Sequence, residues 1–261
     1  MGERRTRGDA VRELAWWSLL ATRTVLDAVL AVALSPVCAS CDSPLDCPTE
    51  GPVCAGCWQS ILPLTPPLCD RCGDPLRTWR VQSSSSHCPR CRRRRSSVDR
   101  ARSIGAYDGA LRAIVHALKY DGRRSLSRRL GALMLERGAD ILAGAAFVVP
   151  VPLHRSRCRQ RGFNQAADLA GALGLPVCHA LKRARPTLAQ TSLPAARRHH
   201  NVRGAFAPTR PGQSLRGSTV VLVDDVCTTG ATLDACARAL KAVGVAEVRA
   251  ITVARVVAPP R

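Results

Sequence analysis

An uninterrupted aliphatic run, Val220-Val221-Leu222-Val223, is followed at once by two acids, Asp224-Asp225, and then by the turn Thr228-Thr229-Gly230-Ala231-Thr232. A short apolar run bounded by turn chemistry predicts a buried strand over 219–223, passing into a helix over about 232–243. Phe147-Val148-Val149-Pro150-Val151 and the segment 248–257 read as further core strands. Apolar residues recur at helical spacing around Leu111, Val115 and Leu118, around Leu126, Leu130 and Met134, and over 162–173. Strands alternating with helices predict an α/β fold, an open parallel sheet with helices on both faces. Ligands of such sheets bind beyond the carboxyl ends of the strands, where the acids and the turn fall.

Each piece of that string has a chemical use. The turn 228–232 can aim backbone N–H groups and hydroxyls at a phosphate, at the positive end of the following helix. Gly230 lets the backbone approach closely. Asp224 and Asp225 are acceptors suited to the vicinal hydroxyls of a ribose, and their charge favours positive charge developing at an anomeric carbon. A strand end with a solvated acid pair and a capping Thr explains one Asp or one Thr but not the whole string. No Gly-x4-Gly-Lys-Ser/Thr or Gly-x-Gly-x-x-Gly string occurs, which excludes a P-loop and a dinucleotide fingerprint.

The 261 residues hold thirteen cysteines, and eight of them form four Cys-x2-Cys knuckles: Cys38/Cys41, Cys54/Cys57, Cys69/Cys72 and Cys88/Cys91. Two knuckles close one tetrahedral Zn²⁺ site, so two structural zinc ions are expected. Sequential pairing puts Cys38, Cys41, Cys54 and Cys57 on one ion and Cys69, Cys72, Cys88 and Cys91 on the other; a cross-braced pairing is the alternative. No secretory leader is evident and no apolar run reaches the ~20 residues that span a membrane, so a reducing, cytoplasmic compartment is expected and disulfides are disfavoured. Cys47, Cys158, Cys178, Cys227 and Cys236 read as small apolar side chains. The segment 36–95 has too little periodic apolar pattern to fold without a metal staple. The expected domains are a helical extension over 1–35, with Leu14, Trp17, Leu20 and Leu26 at near-helical spacing, a double zinc ribbon over 36–95 and an α/β domain over 100–261.

A formal net charge of +20 favours polyanionic partners, or reflects an arginine-rich bias. Seven arginines fall within 90–102 against one acid, Asp99. That stretch reads either as a track for single-stranded nucleic acid or as a solvated linker. Aromatics make up only 3% of the chain, with Trp58 and Trp79 the only tryptophans of the module, which weakens a base-stacking platform.

The string Val221 to Thr232 resembles the type I phosphoribosyltransferase signature. Leu118-Lys119-Tyr120, Val151-Pro152-Leu153-His154, Arg161-Gly162-Phe163-Asn164-Gln165 and Arg197-x3-Asn201-Val202 narrow the resemblance to the ComF family, competence-associated proteins with an N-terminal double zinc ribbon. The resemblance spans nearly all of 37–257. It implies a type I phosphoribosyltransferase-like sheet that binds 5-phosphoribosyl diphosphate through 224–232, with Mg²⁺ bridging pyrophosphate and ribose oxygens and Asp224 and Asp225 as the catalytic acids. By position, 150–155, with Pro152, Leu153, His154 and Arg155, is the pyrophosphate loop, and 190–201, with Arg197, is a hood. Arg155, Arg157 and Arg161 neutralise pyrophosphate or form a solvated face; Lys119 reaches a phosphate or caps the surface; His154 is structural or a general acid. Two functions follow. One is an enzyme that transfers the phosphoribosyl group and releases pyrophosphate, linked to nucleotide metabolism or DNA uptake. The other is a non-catalytic sensor that binds single-stranded DNA and works with competence helicase or recombination proteins.

Overall fold

The computed structural model describes residues 7–76, 86–185, 202 and 204–257, which fall into two compact units, Met1–Ser60 and Ile61–Arg261. In the first, helix α1 (Arg7–Leu34) leads to a 3-10 turn (Pro48–Glu50) and helix α2 (Ala55–Gln59). Polar contacts anchor α1. Its buried Asp27 accepts from the Thr49 N–H at 2.8 Å and the Thr49 hydroxyl at 2.9 Å, and Arg23 pairs with Glu50 at 3.3 Å. Leu26, placed on an apolar stripe by its spacing, is 48% exposed; the side chains of Leu14, Trp17 and Leu20 lie outside the described residues. Among the described residues no helix is long and apolar enough to cross a membrane.

The second unit begins with helix α3 (Pro89–Arg93), strand β1 (Arg100–Ala106) and helices α4 (Gly109–Tyr120), α5 (Leu126–Arg137) and α6 (Ala139–Leu142). Strand β2 (Phe147–Pro150), helices α7 (Arg155–Arg161) and α8 (Gln165–Gly171), strands β3 (Leu181–Arg183) and β4 (Phe206–Pro208) and helix α9 (Arg210–Gln213) follow. Strand β5 (Thr219–Cys227), helix α10 (Ala231–Ala242) and strand β6 (Glu247–Arg255) complete it. The main sheet has the order β1-β6-β5-β2 and is parallel throughout; β3 and β4 form a separate antiparallel pair. Val220, Val221, Leu222 and Val223 are 0% exposed, as expected of a strand covered on both faces. Each contributes about 1.5–3 kcal/mol by burial. Side chains alternate along a strand: Val220 and Leu222 share a core with Leu233, Ala237 and Leu240 of α10, and Val221 and Val223 point to the face that α4, α5 and α8 cover.

Two differences from the sequence expectation bear on the site. β5 does not stop at Val223 but pairs with β6 as far as Cys227, in register with Arg255, so both acids lie within the strand. β1 carries Arg100, Arg102 and Ser103, which hide the apolar pattern. Arg100 and Arg102 reach Asp140, at 3.0 Å and 3.6 Å, and the Ser103 hydroxyl pairs with that of Thr252 on β6 at 2.6 Å.

The cysteine module repeats one design in the two units. Val37 bridges Pro44 and Leu68 bridges Pro75, making two hairpin knuckles, and Cys54 and Cys88 are the N-caps of α2 and α3. The hairpin of the second half is docked on the sheet edge: the Ala101 N–H donates to the Arg71 carbonyl at 2.7 Å. At Gly73, with φ +69°, an added Cβ would lie 2.6 Å from the Ala101 carbonyl oxygen, so only glycine fits there.

Candidate functional site

A cleft of about 850 Å³ opens at the carboxyl ends of β5 and β2, with Asp224, Asp225, Thr228 and Thr232 on one wall and Pro152, Leu153, Lys119 and Arg161 around it. Three of the motifs quoted above for their family resemblance, 118–120, 151–154 and 161–165, converge here on the end of β5. Asp225 is 4% exposed; one carboxylate oxygen lies 2.7 Å from Lys119 Nζ of α4, and the other accepts from Gln165 Nε2 of α8 at 2.6 Å. The Gln165 Oε1 accepts from Arg161 at 2.6 Å, and the Arg161 guanidinium sits 5.1 Å from the centre of the Tyr120 ring. Asn164, the N-cap of α8, donates to the Val151 carbonyl at 3.1 Å and fixes the helix to the end of β2.

Adjacent strand residues face opposite ways, so the two acids have different surroundings. Asp225 is enclosed by its partners. Burial and the neighbouring charge of Asp225 push the Asp224 carboxyl up to about 7, against the pull of Lys119. Burial works against the charge of Lys119, and Asp225 outweighs it, leaving the ammonium above its usual range. Arg157, Arg161 and Arg183 line the same cleft; burial and the charge of Arg157 pull Arg183 below its usual range. Acids at the sheet end and crowded cations opposite suit a ligand with hydroxyls at one end and phosphates at the other.

The turn after β5 has two sides. Gly230, at φ +73°, is the N-cap of α10, a left-handed position that favours glycine. Ala231 is buried behind it. Thr228 and Thr232 face the cleft, whereas Thr229 and Gly230 line a second, smaller pocket against the second half of the zinc module. The cleft lining does not include His154, which caps α7: its Nδ1 accepts from the Ser156 N–H at 3.3 Å. Nor does it include Arg155, which is exposed. Arg197, Asn201 and Trp79 lie outside the described residues. Gln165 and Arg183 join the site without having been singled out. The spacing of Arg161 and Gln165, four apart, was a local signal for the first of these.

The cysteines gather as Cys38, Cys41, Cys54 and Cys57 and as Cys69, Cys72, Cys88 and Cys91, the sulfurs of each set lying within 4.8 Å of one another. This is the sequential pairing. Four sulfurs about 2.3 Å from one zinc stand about 3.8 Å apart; Cys41 and Cys54 are at 3.8 Å and Cys72 and Cys88 at 3.6 Å. Backbone N–H groups point at sulfur from Cys54 to Cys38 and from Cys88 to Cys69, each at 3.3 Å, the donors a thiolate requires. Hydrogen bonds from Ser43 bring the Cys41 thiol down to about 6. The donor sets fit structural zinc. Elemental analysis of the purified chain is expected to find close to two zinc ions; iron, or a single zinc, would contradict the pairing.

The Phosphoribosyl transferase domain family matches residues 158–260 and the Double zinc ribbon domain family matches residues 29–96. Competence protein F of Haemophilus influenzae is 30% identical over 228 residues, which cover 84% of this chain and 96% of that protein. DNA utilization protein YhgH of Salmonella typhimurium is 32% identical over 227 residues, 82% of this chain and 94% of that one. Competence protein ComFC of Bacillus subtilis is 27% identical over 195 residues, covering 72% and 77%.

Proposed function

The chain belongs to the family of Competence protein F, and from that premise we propose that it binds 5-phosphoribosyl diphosphate with Mg²⁺ in the cleft and transfers the phosphoribosyl group to a nucleophile, releasing pyrophosphate. The observation that carries this reading is the division of labour between the acids. With both oxygens of Asp225 engaged by Lys119 and Gln165, Asp224 is the carboxylate turned to a ligand. It stands at the strand end beside the Thr-rich turn and opposite Arg157, Arg161 and Arg183. One carboxylate cannot cage a metal, which fits Mg²⁺ held mainly by ligand oxygens.

Asp224 accepts hydrogen bonds from the ribose hydroxyls, and Thr228, Thr232 and the first-turn amides of α10 hold the 5-phosphate. The arginines neutralise the diphosphate. As the bond from the anomeric carbon to the diphosphate oxygen breaks, its electron pair leaves with pyrophosphate. The Asp224 charge stabilises the cationic ribose until the nucleophile bonds to that carbon and gives up its proton. Mg²⁺, when bound, supplies charge neutralisation of the leaving pyrophosphate. The test is to incubate the protein with labelled 5-phosphoribosyl diphosphate, Mg²⁺ and a panel of bases, nucleotides and single-stranded DNA. Pyrophosphate release that depends on one acceptor identifies enzyme and substrate together; ligand binding without release with any acceptor supports the sensor reading instead.

A second reading, contact with single-stranded DNA in competence together with helicase or recombination proteins, is favoured by Arg92, Arg93, Arg94 and Arg95, all exposed at and beyond the end of α3. A run of adjacent arginines supplies charge without fixed base-reading geometry, so little sequence preference is expected. Replacing the four with Ala should flatten the slope of log affinity against log salt by up to about 0.7 per lost phosphate contact. An unchanged slope would leave the run a solvated linker.

A further inference from the structure

The last residue of β6, Arg255, is 1% exposed and joins two places far apart in sequence. Its Nε donates to Asp74 at 2.7 Å, in the hairpin that carries Cys69 and Cys72. Its Nη1 donates to the Cys227 sulfur at 3.2 Å, where β5 ends and the phosphate turn begins. Its Nη2 is buried without a hydrogen-bond partner among the described residues. A buried guanidinium costs several kcal/mol unless negative charge surrounds it. Four thiolates around one divalent zinc leave net negative charge at the cluster, and Cys72 and Arg255 line one pocket.

Other contacts bind the same two parts. The Arg90 guanidinium comes within 3.8 Å of where a Cβ on Gly230 would stand. Asp234 of α10 accepts from the Ser97 N–H at 2.7 Å and the Ser96 hydroxyl at 3.1 Å, just beyond α3. Residues 69–76 and 86–97 thus form the back wall of the turn whose front faces the ligand cleft.

We propose that zinc at Cys69, Cys72, Cys88 and Cys91 controls ligand affinity in the cleft, with Arg255 and Asp74 as positioning residues that hold Cys227 and the phosphate turn in their binding conformation. The second zinc is therefore a part of the ligand site, and its loss turns binding down. The affinity arm of this inference rests on the 5-phosphoribosyl diphosphate reading above; the structural arm does not.

The test uses the full chain in five forms: the native protein, Cys72→Ser, Asp74→Ala, Asp74→Asn and, as control, Asp70→Ala, which removes an exposed acid of the same hairpin. Three quantities are measured on each: zinc per chain, amide hydrogen exchange over 226–233, and calorimetric affinity for 5-phosphoribosyl diphosphate with Mg²⁺. Cys72→Ser is expected to lose one zinc, to speed exchange in the turn and to weaken the ligand by tenfold or more, within the usual range of coupling between sites of about 5–150-fold. Asp74→Ala should retain both zinc ions and still show faster exchange and about fivefold weaker binding. Asp74→Asn, which keeps the acceptor oxygen, should recover most of that loss, and Asp70→Ala should match the native protein. Native exchange and affinity in Asp74→Ala with both zinc ions present would overturn the proposal even if Cys72→Ser fails to fold. If the native protein binds no 5-phosphoribosyl diphosphate, the reading of the cleft falls, and the exchange measurements still decide whether zinc holds the turn.

Discussion

Replacing Asp224 with Asn is expected to abolish binding of 5-phosphoribosyl diphosphate and to raise the melting temperature of the free protein at pH 8. Hydrogen bonds to a charged acceptor are worth about 1.5–3 kcal/mol each, so losing two to the ribose hydroxyls weakens the ligand at least about a hundredfold. The gain in stability has the opposite origin. Burial and Asp225 push the Asp224 carboxyl up to about 7 in the folded chain, well above its range when unfolded. A raised carboxyl pKa means that stability is fully present below the unfolded value, near 4, and declines as pH rises through about 7. Asn carries no charge to penalise, so the difference between variant and native protein should be small at pH 4, open between pH 4 and 7, and reach about 4 kcal/mol at pH 8. That corresponds to roughly 10 °C in melting temperature for a unit of this size. Calorimetry and pH-resolved melts on one preparation measure both. Undiminished affinity removes Asp224 from the site, and a melt that falls at pH 8 removes the claim that its charge is strained.

How far the sequence disclosed this arrangement depended on whether neighbours in sequence carried the signal. The four knuckles are legible from local spacing, and both sulfur clusters formed in the sequential order expected rather than the cross-braced alternative. The run Val220 to Val223 identified a strand buried on both faces, because the hydrophobic effect leaves no polar interruption there. β1 was not legible: Arg100, Arg102 and Ser103 break the apolar pattern of an edge strand whose pairing with β6 lies about 150 residues away. β3 and β4 are three residues each, too short for a period to appear. The different roles of the acids were missed for a definite reason. Ending β5 at Val223 put both in a loop, where two carboxylates can turn to one ligand. Pairing with β6 to Cys227 restores the two-residue alternation and separates them. The link from Arg255 to Cys227 and Asp74 had no sequence signal, since it joins three distant segments through one side chain.

Asp225→Ala is expected to be among the most destabilising single substitutions in the second unit, although Asp225, like Asp224, is part of the cleft lining. It would leave the Lys119 ammonium, at 16% side-chain exposure, and the Gln165 amide without their shared acceptor. Removing one partner of a buried pair costs about 3–5 kcal/mol, because the remaining charge is left uncompensated. The loss should appear as a fall of roughly 10 °C in melting temperature. The companion substitution separates the cost of an orphaned charge from the worth of the pair. Lys119→Met together with Asp225→Leu removes both charges and leaves one unpartnered Gln165 amide, worth about 1–3 kcal/mol, so the double variant should melt above Asp225→Ala. It should nonetheless bind ligand poorly, because the pair fixes α4 and α8 against the end of β5 and thereby sets where Arg161, held by Gln165, stands relative to Asp224. A double variant that is stable and still binds like the native protein would show that the network serves packing alone. A single variant that melts within about 2 °C of native would show that water screens the pair, and that Asp225 is available to the ligand after all.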